Sequence, residues 1–291
     1  MDAKTAVLAL AVVFAAVFLL SLFSTPGPAG KCVGVVKLDG EIVYSDGGFL
    51  DATPSSGRMT AALEEAEKDG EVAAVLLEIN SPGGSAAATK EIYDAVAALE
   101  KPVVAYLGEV AASGGYYVAS AADWIVANPN TVTGSIGART TLVNYAELFQ
   151  KIGLREESIQ TGELKDIGAG YRNLTEKERG VLSALLNETF DNFRSDVLAA
   201  RGGRINAALF AEAMDARILS AKQALRIGLA DEIGSRKTAL EKAASLGNLT
   251  ESRECFLARP SGLGALLSGI SASVGRGLAA GLSGGAGVRY G

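Results

Sequence analysis

Four short segments carry residue types that acyl-transfer chemistry could use. The first, Ser81-Pro82-Gly83-Gly84-Ser85, follows an apolar run and precedes a helical pattern. Paired glycines let the backbone turn tightly and present successive N–H groups, and such amides near a helix start can hold an oxyanion. Taken alone, the segment also reads as an ordinary strand-to-helix turn. The second is Ala112-Ser113-Gly114-Gly115-Tyr116-Tyr117. Ser113 opens a helix, where the local field favours developing negative charge, and its small neighbours leave room for a bound backbone. In isolation it reads as a helix cap. The third, Thr133-Gly134-Ser135-Ile136-Gly137, offers the Ser135 hydroxyl to hold an amine, or else a turn serine. The fourth, Gly162-Glu163-Leu164-Lys165-Asp166, brings Lys165. A lysine is a general base only when neutral, and burial in an apolar cleft is what lowers an amine from its reference of about 10.4. Otherwise Lys165 is a loop lysine, and Asp166 pairs with a nearby cation.

The chain contains no histidine in 291 residues. That excludes every Ser-His-Asp and Cys-His arrangement, HExxH zinc hydrolysis and histidine-ligated zinc. Cys32 and Cys255 are too few for a disulfide framework or a four-cysteine metal site; they could form one bridge, but two unpaired thiols are the expected reading. A net charge of −6 with no basic block argues against nucleic-acid binding.

The elements that must position these residues alternate. Residues 32–38, 72–79, 102–107 and 124–127 read as strands, the middle two as buried parallel ones. Helical patterns cover 58–68, 85–100, 113–121, 141–153 and 175–200, the last opened by Thr175 with Glu178 three residues on. This alternation predicts an α/β domain with a mostly parallel sheet. Trp124 and the pair Tyr116-Tyr117 read as core or pocket wall.

Thr5 to Phe23 is uncharged and long enough to cross a bilayer as a helix, so it reads as a retained anchor on lipid; the alternative, a removed signal peptide, still implies export. The domains expected are an anchor and linker over 1–30, a catalytic domain over 31–260, and a Gly/Ala/Ser-rich tail over 261–291.

Together, SPGG (81–84), ASGGYYVAS (112–120), TGSIG (133–137) and GELKD (162–166) make the chain resemble the signal peptide peptidase A family, membrane-bound Ser-Lys peptidases of the ClpP/crotonase superfamily. ILSAKQALRIGLADEIG (218–234) is similar to that superfamily's late helix and turn. The resemblance implies an α/β fold of repeated ββα units with a mostly parallel sheet, preceded by one N-terminal transmembrane helix. It implies Ser113 as nucleophile, Lys165 as base and Ser135 as the residue orienting the amine. Gly83, with Gly84 and Gly114, would supply oxyanion amides, and no metal or organic cofactor is needed. It further implies peptide substrates, chiefly remnant signal peptides, and a single-pass protein of the cell membrane with an extracytoplasmic catalytic domain. Family members of this length resemble octameric rings in which serine and lysine meet from neighbouring protomers. The tail resembles such a substrate in composition and is expected to enter the active sites of its own assembly. Two rival readings stand beside this one. A crotonase-type acyl-CoA hydratase or isomerase would need an acidic residue, for which Glu109 is the candidate. A non-catalytic membrane scaffold would need none.

Overall fold

Apolar runs that shed water on both faces become inner parallel strands once helices cover them, and three such runs build the centre of this sheet. The computed structural model describes residues 30–45 and 54–256. The run Thr5–Phe23 and the tail 261–291 lie outside the described residues. β1 (Cys32–Asp39), β2 (Val72–Ser81) and β3 (Val103–Ala112) lie side by side. β4 (Trp124–Ala127), β5 (Val132–Gly134), β6 (Ile218–Ser220), β7 (Glu232–Ile233) and β8 (Glu254–Phe256) complete the described sheet. The main path runs β6-β5-β3-β2-β1-β8, with β4 on β3 and β7 on β4. All pairings are parallel except β5 with β6. Among the described residues no helix is long and apolar enough to cross a membrane.

The period of two along the strands divides the core. Val75, Leu77 and Ile79 share one cluster with α1 (Ser56–Lys68), α2 (Ala86–Ala97) and α3 (Gly114–Ser120). Ala74 and Leu76, with Val33 and Val104, pack instead on Ala239, Leu240 and Ala243 of α8 (Arg236–Leu246). Between these lie α4 (Ala146–Ile152), α5 (Glu176–Arg201), α6 (Ala207–Glu212) and α7 (Ala221–Ile227). α5 opens on the expected capping box of Thr175 and Glu178.

β3 changes partner halfway along. Val104–Leu107 pair with β4, whereas Val110–Ala112 pair with β5. The neighbouring β2 is irregular between Ile79 and Ser81. There the Asn80 side chain fills the ladder, accepting the Val110 N–H at 3.2 Å. The split sends the end of β3, and with it Ser113, away from the sheet floor.

Two helices are shorter than their patterns. Over 85–100 the helix is Ala86–Ala97, because Ser85 is its cap and accepts the Ala88 N–H. Over 141–153 it is Ala146–Ile152. The preceding backbone is taken by tertiary partners: the Tyr145 N–H donates to Gly170 O at 2.8 Å, and Asn144 Nδ2 to Asn173 Oδ1 at 2.6 Å. TGSIG is part strand, since Val132–Gly134 form β5.

Cys32 and Cys255 form a disulfide, not the two free thiols expected. The pairing of β1 with β8 sets Gly34 opposite Cys255 and brings the two Cα atoms to 5.7 Å, a separation a bridge spans without backbone movement. It closes a separation of 223 residues, and long loops gain most from closure. Reduction, or Cys255→Ser, is therefore expected to lower unfolding stability by about 2–4 kcal/mol in a denaturant titration. An unchanged midpoint would show that the bridge does not form in solution.

Candidate active site

Ser113 lies between the end of β3 and the start of α3 with φ 51° and ψ −123°, and its side chain makes no capping bond. A side-chain-bearing residue in such a conformation costs of order 1–3 kcal/mol and persists only where neighbours enforce it. Here the Ser113 N–H donates to Gly134 O and its carbonyl accepts from the Tyr117 N–H, each at 2.9 Å. The cap reading fails, and the hydroxyl is left uncommitted among the described residues. Ser135 (φ 54°) and Ala216 (φ 62°) share the left-handed region. All three line one cavity of about 1030 Å³. The Ser135 N–H is tied to Arg217 O at 2.9 Å.

The glycines of SPGG and ASGG meet face to face at this cavity. Gly83 has φ +97°, and a Cβ there would stand 2.6 Å from Gly114 N and 3.0 Å from Ser113 Cβ. A Cβ on Gly114 would meet Thr89 Oγ1 at 2.6 Å and Gly83 Cα at 3.2 Å. Both positions therefore require glycine for close approach. The three amides differ in availability. The Gly83 N–H donates to Ser81 Oγ at 3.1 Å. The N–H groups of Gly84 and Gly114 have no hydrogen-bond partner among the described residues.

The amine that lines the cavity within the chain is Lys90 on α2. Its hydrogen bond to Asp94 holds its pKa above the usual lysine range; burial opposes this and Asp196, at 3.5 Å, adds to it. Lys90 is thus kept as an ammonium and is no base. Tyr117 donates to Asp196 and stacks on Phe193 at 4.2 Å. Burial, then the bond to Asp196, pushes its phenol well above the usual range, so it stays protonated. Beside Gly114, the Thr89 hydroxyl is buried with no hydrogen-bond partner among the described residues.

Lys165 does not line this cavity; it is exposed, in the irregular stretch between α4 and α5. That stretch exposes Ile159 (98%), α4 exposes Ile152 (63%), and the segment before α4 exposes Val143 (72%). Asp166, as expected, pairs with a cation, Arg172 at 2.8 Å. Glu109, the acid expected for a crotonase-type reaction, is exposed and outside the cavity lining.

The sequence matches Peptidase family S49 over residues 95–250 and Clp protease over 52–133. A Methanocaldococcus jannaschii protein named as a protease is 35% identical over 257 residues, covering 86% of this chain and 82% of the relative. The chain belongs to peptidase family S49. A further S49 relative, named as a signal peptide peptidase in Enterococcus faecium, is 32% identical over 224 residues, covering 75% of this chain but 64% of the relative. The solved structure of a mutant 1510-N membrane-bound stomatin-specific protease aligns with TM-score 0.50 at 19% identity, covering 79% of this chain and 99% of that one, a likeness of fold. Within this S49 protease, the sequence motifs pointed to neither Lys90 nor Thr89 nor the bond from Gly83 to Ser81. Thr89 lies four residues after Ser85, one helical turn along the same face, which was the available signal for it.

Proposed function

We propose that the chain is a membrane-anchored serine endopeptidase that hydrolyses remnant signal peptides and other apolar or unfolded peptides through a Ser113–Lys165 dyad. The observation that carries this reading is Ser113 itself: a strained, uncapped serine at a cavity edge beside two unpartnered glycine amides. Since Lys90 is held as an ammonium, a neutral amine has to come from outside the chain's own cavity. The exposed arm that carries Lys165, with its apolar Leu154 and Ile159, suits cover by a second protomer in a ring, an octamer by family resemblance. Lys165 of one protomer then serves Ser113 of the next.

In this reading the neutral Lys165 amine, oriented by Ser135, takes the Ser113 proton as Oγ attacks the scissile carbonyl. The N–H groups of Gly84 and Gly114 receive the oxyanion. Gly83 adds its own amide only by releasing Ser81, and otherwise contributes its bare Cα, which lets Ser113 and Gly114 come close. The tetrahedral intermediate collapses, the C–N bond breaks, and Lys165 returns the proton to the leaving amine. It then deprotonates the water that releases the acyl group. The run Thr5–Phe23 supplies the anchor, and the Cys32–Cys255 bridge suits an oxidising, extracytoplasmic compartment.

A fluorophosphonate probe tests the assignment. The wild-type assembly is expected to label on Ser113, Ser113→Ala not at all, and Lys165→Ala about 10²-fold or more slowly. Labelling of Ser113→Ala at the wild-type rate would sink the nucleophile. Wild-type labelling and turnover by Lys165→Ala would sink the base.

A further inference from the structure

Lys165 is carried by residues 154–175, which form no helix or strand. A general base needs placement to a fraction of an ångström, and a backbone without a ladder cannot give it. Side chains do so here. Asp166, next to Lys165, accepts from Gln160 Nε2 at 2.8 Å, the Tyr171 hydroxyl at 2.7 Å, and Arg172 through Nε at 3.0 Å and Nη2 at 2.8 Å. Arg172 reaches on to Glu178, with Nη1 to Oε2 at 2.9 Å and Nη2 to Oε1 at 2.5 Å. Glu178 is pinned in turn by the Thr175 N–H at 2.8 Å, and its side chain is 2% exposed. Its helix, α5, runs on to Thr189 and Phe193, which wall the cavity.

We infer that Arg172 is a positioning residue for catalysis, the tie that fixes the Lys165 loop to the N-terminus of α5 through Asp166 and Glu178. The inference rests on Lys165 being the base. Two ionic partners on one planar guanidinium fix orientation as well as distance. Arg172 also balances Asp166 and Glu178 beside an amine that has to shed a proton. Of the loop's other charges, Glu163 is paired with Lys177 on α5, and Arg155, Glu156 and Glu157 lie near the loop's start.

The test is steady-state kinetics on the full-length assembled protein with an apolar peptide substrate. Arg172→Met is expected to lower kcat about 10- to 100-fold with KM within about twofold. The acid limb of its kcat/KM profile moves to higher pH, because two carboxylates lose their counter-charge beside the base. Arg172→Lys recovers part of the loss. A purely architectural role would leave the limb where it is. If Lys165→Ala is inactive while Arg172→Met keeps wild-type kcat and an unmoved acid limb, the inference is overturned and the dyad survives. If Lys165→Ala keeps turnover, the dyad reading falls and the inference with it. Should Arg172→Met fail to assemble, Asp166→Asn decides: an assembled variant with a similarly reduced kcat supports the inference, and wild-type kcat overturns it.

Discussion

Chains carrying Ser113→Ala, co-expressed in equal amounts with chains carrying Lys165→Ala, are expected to recover about a quarter of wild-type turnover, although each variant alone falls about 10³-fold or more. The recovery follows from geometry. Ser113 lines the cavity and Lys165 lies outside its lining, and in the proposed function the two meet between protomers. In a head-to-tail ring each site takes its serine from one protomer and its lysine from the next. Random mixing then leaves about one junction in four with both groups intact. If serine and lysine came from the same chain, no mixture could work, because every chain lacks one of them. Titration of acylated serine in purified mixed rings distinguishes the cases: a mixture as inert as its components would refute sharing between protomers.

The largest loss of stability is expected at Asp231→Ala, about 3–5 kcal/mol by urea unfolding. Asp231 takes Arg201 Nη1 at 2.9 Å and Nη2 at 2.8 Å, and it also accepts the Ile125 N–H at 2.8 Å. Arg201 is 0% exposed at the end of α5, its second tie being to Gly228 O at 3.2 Å. Removing the carboxylate strands a buried cation. Its Nε already lacks a partner among the described residues, so the loss adds to an existing deficit. The double variant Arg201→Met with Asp231→Leu is expected to lose far less, since removing both charges removes the desolvation cost along with the attraction. Equal losses in the single and double variants would show that the site matters for its shape and not for its ion pair.

What could be read locally was read correctly. β2 and β3 announce themselves as apolar runs, and α5 by a capping box at its first turn. The motifs around Gly83, Ser113 and Ser135 do converge on one cavity. Features set by distant closure were not legible. β5, β6 and β8 are three residues each, too short for any periodicity to register. The helix expected from Thr141 lost its first turn to Gly170 and Asn173, partners far along the chain. Ser81 taking the Gly83 amide depends on how tightly one turn folds on itself, which residue types alone do not specify. The position of Lys165 is a different kind of absence: under the proposed sharing between protomers, no periodicity within one chain could report it.

The bond between Cys32 and Cys255 ties the first strand of the sheet to its outermost one, just ahead of the glycine-rich C-terminal residues. In the proposed ring, each chain would be exposed to cutting by its own copies. Nicks made beyond Cys255 shorten the polypeptide yet leave that last strand tethered, so its border cannot peel open and recruit foreign strands. Trimming at that end is survivable because the seam is covalent.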